Sequence, residues 1–275
     1  MPEPINQAQP DRLATDEKDY LWLNLRELPY FRGLMRAVEA SFYNRVDLPG
    51  PVLDVGSGDG QFVTVAFDRR IEVGIDPWRT PMREAAKRGG YHGLVLGDGA
   101  RMPFPGGHFG SAFSNSVLEH IPPIDDVLVE IGRVLKSGAP FVFCGPNHRF
   151  SSGLSVGNAL DRLGLHSLGD AYRLFFNRIA RHVHCDSPDV WQKRLENAGF
   201  ELEQYWHYYS PQALHVTEWG HLFGVPSLVA HQLTGRWIIA PTKWNLAPTY
   251  WLAHKYYRPQ ESQDGVCTFY IARRK

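Results

Sequence analysis

Three things are scarce in this 275-residue sequence, and each scarcity closes off a class of protein. Cysteine occurs only as Cys144, Cys185 and Cys267, odd in number and far apart, so no disulfide framework is expected. An excess of either charge is absent: 29 Lys and Arg stand against 29 Asp and Glu. A polyanion partner therefore has no electrostatic footprint here, and no nucleic acid is expected. Long apolar runs are missing too, so no segment reads as a bilayer span. The opening "MPEPINQAQPDR" lacks the basic and apolar regions of a secretory signal, and its polar residues are expected to be mobile. A cytoplasmic, reduced protein is the expectation, with a chain long enough to bury a full core.

What is present is a rhythm. Asp19 to Phe42 reads as helix, broken at Pro29, with Leu34, Val38 and Phe42 at helical spacing. Short apolar runs then alternate with helical patterns. "PVLDVG", "IEVGID", "GLVLGD", "FGSAFSN" and "PFVFCGP" read as strands. "GQFVTVAFDR", "TPMREAAKRG" and "PIDDVLVEIGRVLKSG" read as the helices between them, the second capped by Thr80 with Pro81 at its first position and the third ended by Gly138. Such alternation predicts an α/β fold, a mostly parallel sheet with helices on both faces. Residues 147–186 read as two loop-linked helices. A helix capped by Ser187 and ended by Gly199 then leads into a strand, and "GVCTFYIARR" closes the chain as another. Between those two strands lie about fifty Trp- and Pro-rich residues, too many for an ordinary loop.

"VLDVGSGDG", residues 52–60, is the first segment with chemistry in it. A phosphate-cradling P-loop would need Gly-Lys-Ser/Thr at its end, but Gly60 is followed by Gln61 and Phe62. The dinucleotide pattern G-x-G-x-x-G fits imperfectly, because Gln61 takes the place of its third glycine. Asp54 separates the readings further: a carboxylate at the strand end repels pyrophosphate and suits an ammonium group. S-adenosylmethionine (SAM) carries an ammonium and a sulfonium and no phosphate. Asp76, at the tip of the second strand, is placed to accept from ribose hydroxyls, which fits NAD and SAM equally. Pro77 and Trp78 follow it as one wall for an adenine. Asp98, at the tip of the third strand, is placed to accept from an adenine amino group, with the Gly99 and Ala100 amides facing the ring. Three acids on three successive strand tips line one edge of a parallel sheet, where ligands of such sheets bind.

In order and spacing, "VLDVGSGDGQF", "GIDPW", "GDGARMPFPGGHFGSAFSNSVLEHI" and "EIGRVLKSGAPFVFCGPN" resemble the class I SAM-dependent methyltransferases. The nearest likeness is to the small-molecule subgroup whose fourth strand ends in Val-Leu-Glu-His. The resemblance is strong over residues 47–147. It implies a Rossmann-like seven-stranded sheet with an antiparallel last strand, and SAM as cofactor. It also implies that Asp54, Gly56, Ser57, Gly58 and Gly60 hold the methionine part, Asp76 the ribose and Asp98 the adenine. Asn115 and Ser116 would border the reaction centre. "LKSGA" departs from the family's usual Lys-Pro-Gly-Gly turn, away from the chemistry. The expected organisation is a helical lid over 1–46, a SAM-binding core over 47–146 and a helical insertion over 147–186. Segments 187–210 and 264–275 complete the sheet, and 211–263 form an acceptor-side insertion.

Methyl transfer from a sulfonium needs a base only when the acceptor arrives protonated. His120 is the catalytic candidate, against a structural role in fixing its loop; Glu119 could serve similarly. His182, His184 and Cys185 stand too close together to supply most of a tetrahedral site, so no metal is expected and they are read as supporting the acceptor pocket. The aromatic insert, with Trp219, Trp237, Trp244 and Trp251 and with prolines at 226, 241 and 248 breaking it into short helices, is a candidate pocket for a hydrophobic or aromatic acceptor. The second reading of it is peripheral membrane contact through 211–262. The leading expectation is a methyltransferase for a small-molecule or lipid-like acceptor. A SAM-binding protein without turnover and an NAD-dependent oxidoreductase are the alternatives.

Overall fold

The computed structural model describes residues 18–275; the opening polar segment and its expected mobility lie outside the described residues. The chain begins with α1 (Tyr20–Leu25), whose first turn is capped by Asp19 accepting from the Trp22 N–H at 2.8 Å. Pro29, extended at ψ 145°, separates it from α2 (Tyr30–Tyr43), as its lost N–H and fixed φ dictate. The alternating region then runs β1 (Val52–Val55), α3 (Gln61–Ala66), β2 (Ile71–Asp76), α4 (Arg79–Arg88), β3 (Tyr91–Leu96) and β4 (Ser111–Asn115). A single 3-10 turn (Leu118–His120) leads to α5 (Ile124–Val134) and β5 (Pro140–Pro146). The remainder is α6 (Ser155–Arg162), α7 (His166–Ala180), α8 (Pro188–Asn197), β6 (Phe200–Tyr208), α9 (Pro211–Phe223), α10 (Val225–Thr234), α11 (Lys243–His254) and β7 (Cys267–Arg274).

The strands form one seven-stranded sheet in the order β3-β2-β1-β4-β5-β7-β6. The first five are parallel, and β7 inserts antiparallel between β5 and β6. This is the Rossmann-like arrangement expected. Its strand order reverses between β1 and β4, which opens a crevice at their carboxyl ends. Side chains alternate across the sheet with period two. Along β5, Val142 and Cys144 join one apolar cluster while Phe141 and Phe143 join the other. The first cluster packs the sheet against α1, α2 and α3, with Ala213 and Leu214 of α9 added; the second packs it against α5 and α8.

Several expected boundaries move. Helix α4 starts at Arg79, so Thr80 and Pro81 lie inside its first turn. Asp76 accepts from the Trp78 N–H and holds Trp78 extended as the cap, and a proline is tolerated there because first-turn N–H groups have no intrahelical partner. Helix α5 stops at Val134 rather than Gly138: Leu135 turns extended to bridge Phe109, and Gly138, at φ 76°, serves the following turn. Ser187 does start α8, but its side chain makes no capping bond, and the helix ends two residues before Gly199. Pro226 and Pro241 punctuate the insert, whereas Pro248 lies inside α11, which runs through it.

Candidate active site

A cavity of about 570 Å³ opens at the carboxyl ends of β1, β2 and β4, beside the turn after β3. That volume is in the range of small-ligand sites. Asp54, Gly56, Ser57, Gly58, Asp76, Pro77, Trp78, Asp98, Gly99, Asn115 and His120 all line it. Three expected residues do not. Gly60 lies behind the wall, where it caps α3 at φ 73° and packs against Ala85 and Tyr91. Ala100 donates its N–H to Asp98 Oδ1 at 2.9 Å instead of facing a ligand. Ser116 adopts φ 49°, which turns its hydroxyl away to donate to Glu39 Oε1 at 2.7 Å.

The loop needs glycine most at Gly56. Its φ is 84°, and a Cβ there would stand 2.3 Å from Val117 Cγ1, itself a cavity residue. Glycine there lets the loop lie against Val117 while Gly56, Ser57 and Gly58 line the cavity beside Asp54. The Asp54 carboxylate is buried and accepts from the Tyr91 hydroxyl at 2.6 Å. Burial raises its pKa to about 7; the Tyr91 bond opposes that, neighbouring Asp76 adds to it and Arg36 opposes it again. Asp76 is buried also. Its Oδ2 accepts from the Gly58 N–H at 3.0 Å and its Oδ1 from the Trp78 N–H at 2.8 Å, so one side chain fixes both the loop and the start of α4. Burial raises its pKa, and those two bonds hold the rise back. Each oxygen keeps a further lone pair for a ligand hydroxyl. Trp78 is 70% exposed, an indole face presented beside Pro77 and Pro81.

The opposite part of the lining was less visible in the sequence. Arg32 and Arg36 of α2 and Arg181 after α7 all border the cavity. Arg36 is tied down: its guanidinium meets Glu39 at 3.1 Å and donates to the Asn115 carbonyl at 3.0 Å. Glu39 is fully buried and gathers donors from Asn115 Nδ2 at 2.8 Å, Ser116 and the Tyr208 hydroxyl at 2.9 Å. An acid on the apolar stripe of α2 was the only signal for this hub. Arg32 is open to the cavity yet ringed by protein, which lowers its pKa, as does Arg36; Asp59 raises it. Trp237 lies 5.7 Å from its guanidinium carbon. No described residue of 211–262 lines the cavity itself, so the insert reaches the site through Arg32 rather than by forming its wall.

His120 donates from Nδ1 to the Arg181 carbonyl at 3.0 Å and stacks on His182, with ring centroids 5.6 Å apart. Burial lowers its pKa, the Arg181 bond opposes, and Arg36, Arg181 and Arg32 lower it further, so the ring is neutral at pH 7. His184, paired with the Ile121 carbonyl at 3.1 Å, and the Val183 and His184 N–H groups bonded to the Glu119 carbonyl pin residues 182–184 onto the 3-10 turn. His182, His184 and Cys185 thus brace the His120 turn without lining the cavity.

A parallel sheet with an antiparallel β7 insert, a glycine loop and an acid at each of three strand tips is the arrangement that the sequence resemblance implied. Residues 53–143 match the family model described as a methyltransferase domain. The chain therefore carries a methyltransferase domain over those residues. Solved structures repeat the fold. A SAM-dependent methyltransferase from Thermotoga maritima, described as a possible histamine N-methyltransferase, is 16% identical with TM-score 0.54, over 90% of this chain and 91% of that one. A SAM-dependent methyltransferase from Mesorhizobium loti is 16% identical with TM-score 0.53, over 88% and 100%. A geranyl diphosphate methyltransferase solved with SAM is 14% identical with TM-score 0.53, over 90% of both chains. The curated proteins offer no match. The residues fit the cofactor. Glycine at 56 lets the loop pack against Val117 in the cavity wall, and the Asp54 carboxylate beside it suits an ammonium.

Proposed function

We propose that the chain transfers the methyl group of SAM to a small-molecule acceptor that carries an anionic group. The observation that supports this reading is the cavity's continuation beyond the acids to Arg32, Arg36 and Arg181, close to Asn115 and His120. When bound, SAM supplies a methyl on a good leaving group. The chain aligns and desolvates. Asp54 and the loop backbone hold the methionine end, and Asp76 and Asp98 the ribose and adenine. Asn115 is held rigid by Glu39 and by the Cys144 thiol, which donates to Asn115 Oδ1 at 3.2 Å. Arg32 and Arg181 attract and orient an acidic acceptor, and a protonated acceptor gives its proton to the neutral His120 ring or to solvent beside it.

The test is a panel of carboxylate- and phosphate-bearing small molecules incubated with SAM, read by mass spectrometry for a methylated product. Arg32→Ala and Arg181→Ala should raise the acceptor's KM at least about tenfold, the scale of one charged hydrogen bond, while SAM affinity holds. Tight SAM binding with no product across acidic and neutral panels would favour a binding protein without turnover. NAD binding with no SAM binding would favour the oxidoreductase.

A second reading has a lipid-like acceptor reached at a membrane surface. What supports it is the insert: Leu228, Val229, Leu233, Ile239, Trp244 and Trp251 are exposed, and Lys255 lies over the Trp251 ring at 3.3 Å. Aromatic and basic side chains together suit the interface of a bilayer. Among the described residues, no helix is long and apolar enough to cross one.

A further inference from the structure

We propose that Glu119, His120 and His182 form a binding site for a zinc-like divalent transition-metal ion at the edge of the cavity. One ligand atom from each lies within 4.8 Å of the others. Two imidazoles and one carboxylate are a donor set that zinc accepts while keeping a position open for an exogenous ligand. Bonds of about 2.0–2.2 Å require the three groups to draw in by about 1 Å, within the reach of side-chain torsions.

Three observations point to an ion rather than to an ordinary polar cluster. Glu119 is 3% exposed, yet its Oε2 has no hydrogen-bond partner, and its Oε1 faces His120 Nε2 at 3.7 Å. His182 Nδ1 is likewise buried without a partner. Unpartnered buried polar atoms on two members of one cluster are costly unless something satisfies both. The third observation is the outer arrangement. His120 gives its Nδ1–H to the Arg181 carbonyl, so the Nε2 lone pair is left facing Glu119. A metal-ligating histidine is oriented by this kind of backbone bond. Burial keeps both imidazoles unprotonated, as ligands must be: His182 is lowered to about 4. Burial raises the Glu119 pKa to about 8, so an ion bound there displaces its proton to solvent.

The sequence argued against a metal because His182, His184 and Cys185 crowd one segment. The cluster instead takes one residue from that segment and two from the turn after β4, which α7 brings face to face. His120 borders the cavity, so the ion's open position is accessible to a water or to an acceptor oxygen. Its place in catalysis rests on the methyl-transfer reading: an ion there lowers the pKa of a bound hydroxyl, and the released proton goes to solvent.

The experiment is calorimetric titration of chelator-treated full-length protein with zinc chloride and, separately, with magnesium chloride, with SAM titrated in parallel. One zinc site per chain and no magnesium binding are expected, because magnesium demands oxygen ligands. His182→Ala and Glu119→Gln should each weaken zinc at least about 100-fold, beyond the usual cost of losing an outer partner. Cys185→Ser should leave zinc binding unchanged. Absence of stoichiometric zinc binding by the wild-type protein, or equal zinc affinity in folded His182→Ala, would overturn the site. Intact SAM binding in the same samples would show that the methyltransferase reading survives that result.

Discussion

Asp54 and Asp76 are adjacent carboxylates on neighbouring strands with different tasks, and two measurements separate them. Asp76→Ala removes the acceptor of two backbone amides and, on the proposed reading, of a ribose hydroxyl. SAM should bind about 1.5–3 kcal/mol more weakly by calorimetry, the range for charged hydrogen bonds. Asp54 titrates near 7 in the free protein, raised from 3.8 by burial. An ammonium ligand requires its ionised form, so SAM affinity should fall as pH drops below about 7, by at most about tenfold per unit. In Asp54→Asn that slope should vanish, and a wild-type affinity flat from pH 8 to 5.5 would contradict the assignment. Stability must run the other way. The unfolded chain binds fewer protons at this position between pH 3.8 and about 7, so this group lowers folding stability as pH rises through that window. The strand-tip acids were legible in the sequence because a strand end and its turn are local. Tyr91 was not, since its hydroxyl reaches Asp54 from two strands away. Ser116 was misplaced because only its positive φ reveals which way it turns.

At the scale of elements, α2 does two jobs at once. Leu34, Val38 and Phe42 are buried against the sheet, and Arg32 and Arg36 line the cavity. Lining the cavity and packing the core are therefore inseparable by truncation. Glu39→Ala probes the coupling, because it strands the donors of Asn115, Ser116 and Tyr208 and the charge of Arg36. Urea unfolding should show a loss of about 3–5 kcal/mol, the scale for breaking a buried ion pair. Helix α9 docks on the same helix through Gly220, where a Cβ would stand 2.6 Å from Phe31 Cβ. The Trp- and Pro-rich composition announced that the insert had its own structure. It could not announce this contact, which depends on a missing side chain meeting an aromatic more than 180 residues earlier.

For the whole molecule, the membrane reading makes its own prediction. The protein should co-sediment with anionic vesicles, and replacing Trp244 and Trp251 by Ser should release it; recovery of all wild-type protein in the supernatant would remove that reading. The order of strands has a further consequence, in time rather than in space. By residue 146 the ribosome has made every strand that bears the cofactor acids and the loop. β6 has only β7 as its neighbour, and β7 is made last. Through the synthesis of more than a hundred residues the nascent sheet carries an unpaired β5 edge, and β6 waits with no strand to join. The cofactor half can begin to assemble during translation, while the far half closes only after the final strand emerges. That interval is where an aggregating intermediate would form and where a chaperone would act.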